Sequence, residues 1–139
     1  MSIKTMTTVE QQRASGMARR AGVVSAAACA AVVVWCLLHP VLGVDLAVWS
    51  GSSETTVGVA DVVLAALLVG CAGWGALGLI ERRRPCRARR PWTWLAITVL
   101  AVSLVGPLGA TSMAAGLGLL TLHLAVGLIM IMGLRSTAC

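Results

Sequence analysis

The sequence predicts an all-α integral membrane protein, a four-helix bundle with both termini on the cytoplasmic side. Three observations predict it. The chain of 139 residues is 58% hydrophobic and only 12% charged, with a mean hydropathy of +0.91. A soluble domain carries about 25% charged residues. Four apolar segments approach the roughly 20 residues that a spanning helix needs. All eleven Lys and Arg residues fall outside those segments, in three places that a four-span chain brings to one side. Basic residues mark the cytoplasmic side of a membrane protein.

Taken in order, residues 1–20 carry Lys4, Arg13, Arg19 and Arg20 and read as a mobile cytoplasmic tail with room for a short interfacial helix. The apolar run that follows is long and has no small-residue cleavage site, which argues against a cleaved signal peptide. The spans are expected at 21–38, 57–80, 92–110 and 113–134, making 21–135 one multi-pass domain in the cell membrane. Pro40 ends the first span. Residues 81–91, ERRRPCRARRP, form a basic loop between the second and third. Pro107 kinks or stops the third span near its far end, and Ser103 stands where it can satisfy part of the disturbed backbone. Ala66 with Gly70, and Ala114 with Gly118, are small-xxx-small pairs that let helices approach closely. Gly73, Gly75 and Gly78 add to them.

The formal charge of +6 does not point to nucleic acid, because the basic residues sit beside apolar runs, where they meet lipid headgroups. Membrane lipids are the expected partners. Trp92 and Trp94, beside the basic loop, read as an interfacial aromatic belt, and Glu81 as the partner of a neighbouring Arg. The five cysteines, Cys29, Cys36, Cys71, Cys86 and Cys139, contain no CxxC. Cys29 and Cys36 lie about 10 Å apart along a helix, beyond disulfide reach, so the cysteines are expected to be packing residues. No metal site is expected: the two histidines differ in depth by roughly 15 Å, and no ligand spacing fits zinc. Neither a phosphate-binding glycine loop nor a nucleophile elbow occurs.

The acids concentrate in one place. The stretch His39–Asp61 holds Asp45, Glu54 and Asp61, three of the five acidic residues, with His39 and Trp49 and no Lys or Arg. Asp61 is expected about 6 Å inside the second span, with Trp35 at matching depth. An ionisable residue inside a span is a functional candidate, and burial there would favour the neutral acid. The plainer reading makes Asp61 an N-terminal helix residue reached by water. If residues 41–49 form a short helix, Asp45 and Trp49 share a face, although Trp49 also reads as an interfacial anchor. Ser103 falls in the outer half of the third span. His123 lies about 15 Å down the fourth span, where a bond to another helix would satisfy it. His39 reads as a loop or cap residue. Trp74 lies in the inner half.

GVDLAV at 43–48, WGALGLIERRR at 74–84, SLVGPLG at 103–109 and HLAVG at 123–127 occur together in this four-span chain. With them, residues 20–135 resemble a family of small actinobacterial four-helix membrane proteins. The chain is also similar to the membrane-bound terpene cyclases of bacterial indole-sesquiterpenoid pathways, of the drimentine and xiamycin type. That second resemblance implies a cofactor-independent, protonation-initiated cyclisation of a lipophilic, prenylated substrate, a farnesylated indole. A neutral acid protonates the terminal alkene, as in sites that hold an acid protonated by burial. Water must be excluded, and an aromatic face steadies the cation. No family motif assigns these parts. From this sequence, the acid candidates are Asp61, Asp45 and Glu54, His123 accepts the last proton or orients an acid, and Trp35, Trp49, Trp74 and Ser103 contact substrate.

Two rival readings stand beside this one. A small proton-coupled transporter needs a carboxylate well inside the bundle, whereas the first span has no acid and Asp61 is shallow. A non-catalytic membrane partner protein fits the same composition. Whether the chain forms a homo-oligomer is left open. The topology is directly testable: tags at both termini are expected to be protease-accessible only from the cytoplasmic face of sealed vesicles, and a C-terminal tag cleaved from outside would break the four-span reading.

Overall fold

A computed structural model describes residues 3–84 and 87–138. Its order is α1 (Ile3–Cys36), a two-stranded hairpin of β1 (Ala47–Ser50) and β2 (Ser53–Thr56), α2 (Val59–Arg83), α3 (Arg89–Ser103) and α4 (Met113–Thr137). Four helical segments among the described residues are long and apolar enough to cross a membrane: Glu10–Val41, Val59–Arg83, Arg89–Gly109 and Met113–Thr137. The all-α membrane architecture is therefore the observed one, with the hairpin as an addition.

Two boundaries differ from expectation. The tail does not end before the first span: α1 is one helix of 34 residues. No proline interrupts residues 3–36, and Gln, Arg, Ala and Met are good helix formers. A helix of that length extends about 50 Å, against a hydrocarbon core of about 30 Å, so its polar first half projects beyond the basic end. The third span is broken. Its helix stops at Ser103, and Gly106–Gly109 forms a separate 3-10 turn with Pro107 near its start. A proline that cannot donate a backbone bond and glycines on either side of it make that stop.

Helix α1 packs along both α2 and α4, and α3 lies chiefly against α4. One core layer, nearer the basic end, joins Val24, Ala27, Leu77, Ala88, Trp92, Met130 and Leu134. The other, below the hairpin, joins Ala31, Leu46, Ala66, Leu119 and Leu122. Lipid tails remove the hydrophobic drive for helices to associate, so close fit must supply it. A Cβ at Gly70 would stand 2.7 Å from Val24 Cγ1, and one at Gly127 would stand 2.5 Å from Leu100 Cδ1. Gly133 gives the same close approach to Val23. Ala66 and Gly70 are buried as expected; of the other pair Gly118 is buried, but Ala114 is exposed and Ala115 takes the inward position.

Three further expectations are corrected. Trp92 is not part of an interfacial belt. It is 4% exposed, in the core, and its Nε1–H finds no acceptor among the described residues. Trp94, two residues and about 200° further round the helix, is 71% exposed. Glu81 pairs not with the adjoining arginines but with Arg20 of α1, at 2.6 Å, and Arg20 also reaches the carbonyl of Thr137 at 3.4 Å. One guanidinium thus ties α1, α2 and α4 at the basic end. Cys29, Cys36 and Cys71 are free and on the outer surface rather than in the core; Cys86 and Cys139 lie outside the described residues.

Gly70→Val is expected to lower thermal stability in detergent by about 1–3 kcal/mol through overpacking. Gly75, whose added Cβ would meet open space, serves as the control. Gly75→Ala is expected to hold or raise stability, since alanine is the better helix former by about 0.5–1 kcal/mol.

Candidate functional site

The acidic end is built by a reversal, a hairpin and a helix start. After Cys36 the chain enters a π-helical turn, Leu37–Val41, that contains Pro40. Gly43, at φ +65°, lets it turn back, and Val44 N–H donates to the Leu38 carbonyl at 2.9 Å. Residues 41–49 are therefore not a helix, and Asp45 and Trp49 do not share a helical face. Pro40 and Gly43 end helix formation, and Val48, Trp49, Thr55 and Thr56 favour a pleated pair. Gly51, at φ +66°, supplies the positive φ that a tight hairpin turn requires. The register sets Ala47 opposite Thr56 and Trp49 opposite Glu54.

This hairpin is docked as a roof. Leu46 is 2% exposed and packs into α4 where Gly118 leaves room: a Cβ there would stand 2.8 Å from Leu46 Cδ2. Val48 bridges to Ala110, and Thr111 N–H donates to the Ala47 carbonyl at 3.1 Å. Val57 N–H closes the base onto the Leu46 carbonyl at 2.7 Å. The inner edge of the roof is thus paired with the chain beside it, as backbone next to an apolar layer must be.

Beneath the roof, Trp35 and Asp61 meet on one peptide group. The indole Nε1–H of Trp35 donates to the Val57 carbonyl at 3.0 Å. The N–H of Gly58, on the other side of the same amide, donates to Asp61 Oδ2 at 2.9 Å. Asp61 is the third residue of α2, because the helix starts at Val59 rather than Val57. It is exposed, and it makes half of a capping box, since Gly58 has no side chain to return the bond. Asp61 lies at the start of the second candidate span, as an N-terminal residue of its helix, and it is not buried within the bundle as expected.

The other candidates divide between the two ends. The Trp35 and His39 rings are tilted at 42° with centroids 5.0 Å apart. His39 Nδ1 lies 3.1 Å from the Val44 carbonyl, which assigns the proton to that nitrogen, and 3.9 Å from Asp45 Oδ1. The Asp45 side chain is 88% exposed, so water screens that pair to little. Trp49 and Glu54 are exposed on the hairpin. Ser103 donates to the Leu100 carbonyl at 2.7 Å, within its own helix. His123, half-buried, is satisfied not by another helix but by the Leu119 carbonyl one turn back, at 2.8 Å. Trp74 belongs elsewhere: with Gly75, Gly78, Leu79 and Arg82 it lines an open groove of about 410 Å³. The structure brings together Trp35, His39, Asp45 and Asp61. It does not join them to His123, Ser103 or Trp74 by any hydrogen bond or ion pair among the described residues.

Among the described residues, no three His, Cys, Asp or Glu side chains gather in a way that could hold a metal ion. The layer below the roof is filled by Leu46, Leu119 and Leu122. A family of unknown function (DUF6069) has a model that matches residues 11–139. The chain belongs to that family. No curated protein and no solved structure matches it. DUF6069 membership therefore spans the whole membrane domain, hairpin included, and brings no assigned activity with it.

The hairpin was hidden from sequence reasoning by the four-residue spacing of Asp45 and Trp49. The signal that could have found it is VWSGSSETTV, two β-prone runs about a Gly-Ser turn. Asp61→Ala removes a negative charge and an acceptor from a helix start and is expected to destabilise the chain by about 0.3–1 kcal/mol. Thermal unfolding in detergent measures it; an unchanged or higher melting temperature would remove the capping role.

Proposed function

We propose that the chain is a non-catalytic membrane partner protein, which meets its partner through the hairpin roof at the acidic end. One observation carries this reading: Asp45, Glu54 and Asp61 all lie on the surface of the bundle, above a filled apolar layer, and none of them faces an enclosed chamber. A protonation-initiated cyclase needs the reverse, an acid held away from water and facing an apolar chamber. The roof has the features of a recognition element. Its inner edge is tied to the bundle by backbone bonds, and Trp49, 58% exposed, stands across from Glu54. An exposed aromatic side chain beside a charge, on a rigid support, suits binding.

The cyclase reading keeps one specific support beyond the resemblance of its sequence segments. Trp35 and His39 present two neighbouring, tilted rings, and Asp45 Oδ1 lies 3.9 Å from His39, which sets an acid beside an aromatic surface. A prenyl chain would then have to approach from the lipid, at the roof's edge.

Co-expression with an indole prenyltransferase, followed by product analysis, separates the two. The partner reading predicts no cyclised product above the host background. Cyclised product that is lost in Asp45→Asn or Asp61→Asn would establish the cyclase instead. For the partner reading itself, a photoreactive residue at Trp49 is expected to give a discrete crosslinked species in native membranes, and the same residue at Leu68, on the exposed face of α2, is not. Absence of any discrete species at Trp49 would contradict it.

A further inference from the structure

The opposite end of the bundle carries a groove that none of the readings above uses. It has a volume of about 240 Å³ and is lined by Arg89, Arg90, Thr93, Trp94, Ile97 and Arg135. Three guanidinium-bearing residues line it, and among the described residues no carboxylate does. Arg89 Nε–H donates to the Arg135 carbonyl at 3.3 Å, which ties the start of α3 to the last turn of α4. That bond uses one of the five N–H donors of the guanidinium. The Thr93 hydroxyl is taken up by the Arg89 carbonyl at 2.7 Å.

The groove is amphipathic along its length. Arg90, Trp94 and Ile97 follow the helical spacing of one face, so positive charge at the helix start gives way to apolar surface about 10 Å further along α3. Trp94 is 71% exposed and Ile97 is 45% exposed. A guanidinium fork matches a phosphate oxygen pair, a tryptophan at the end of a span settles at headgroup level, and an apolar strip beyond it accepts an acyl chain. A free phosphate would use only the first of these three. The volume suits a headgroup with its glycerol, the chains lying outside along the helix.

We propose that this groove is a binding site for an anionic phospholipid of the leaflet at the basic end. Its phosphate is held by Arg90, Arg135 and the remaining donors of Arg89, and an acyl chain lies over Trp94 and Ile97. The site is distinct from a general attraction of lipids to the basic loop, because it assigns the work to particular arginines.

The experiment uses the full chain, delipidated in a neutral detergent, and counts bound lipid by native mass spectrometry. Phosphatidylglycerol, phosphatidylcholine and inorganic phosphate are the probes. Arg90→Gln with Arg135→Gln is compared with Arg83→Gln with Arg84→Gln. Both pairs remove two charges, all four side chains are exposed, and Arg83 and Arg84 do not line the groove. One phosphatidylglycerol is expected to bind in preference to phosphatidylcholine. Its affinity is expected to fall roughly thirtyfold in the groove pair and to stay within about twofold in the other. Excess inorganic phosphate is expected not to displace it. Equal loss in both pairs, equal binding of phosphatidylcholine, or displacement by inorganic phosphate would each overturn the proposal.

Discussion

A single peptide group, between Val57 and Gly58, holds the acidic end together. Its carbonyl accepts from Trp35 on α1 and its N–H donates to Asp61 on α2. The preceding amide, Val57 N–H, closes the hairpin base on Leu46. A donor on one side of an amide and an acceptor on the other polarise it in the same sense, so each bond strengthens the other. The first helix, the hairpin and the second helix are thereby fixed to one another at a point. Leu46 can then be held in the space that Gly118 leaves on α4, and the roof becomes part of the bundle rather than a loose loop. The role of Asp61 follows from this: it is an acceptor at a helix start, engaged by backbone.

At the other end the constraint is electrostatic. Arg20 and Glu81 are largely sheltered, with 15% and 24% of their side chains exposed. Partial burial makes such a pair costly to break on one side only. Between the two ends the helices have no hydrophobic reason to stay together once in lipid. Van der Waals contact does that work where glycines admit Val24, Val23 and Leu100. The many exposed leucines and valines, among them Leu64, Leu68, Val99, Val102 and Leu108, are the lipid-facing complement of a thin, small-residue core.

The four spans were legible because length, hydropathy and the exclusion of arginine all act over whole segments. What was not legible depended on shifts of one or two residues. Moving the start of α2 from Val57 to Val59 is only about 3 Å, yet it brings Asp61 into the first turn of the span, where it caps the helix. Starting α3 at Arg89, three residues before the expected boundary, places Trp92 in the core and leaves Trp94 outside. Neither hydropathy nor proximity to the basic loop distinguishes those two tryptophans; only helical phase does. The partner of Glu81 was invisible for a different reason. Arg20 is 61 residues away in sequence, and only the packing of α1 on α2 brings it near. The cysteines were expected inside on residue type alone, and small residues are equally at home on a lipid-facing surface.

The shared peptide makes a quantitative demand. Trp35→Phe removes the donor on one side of it and keeps most of the ring; Asp61→Ala removes the acceptor on the other. The decisive measurement is the thermal stability of the two single variants and the double variant, compared as a cycle. Residues that act through one group are expected to couple by about 0.5 kcal/mol or more, so the double variant should lose less than the sum of the singles. Strict additivity would mean that Trp35 and Asp61 act independently, and would contradict a roof fixed through the Val57–Gly58 amide.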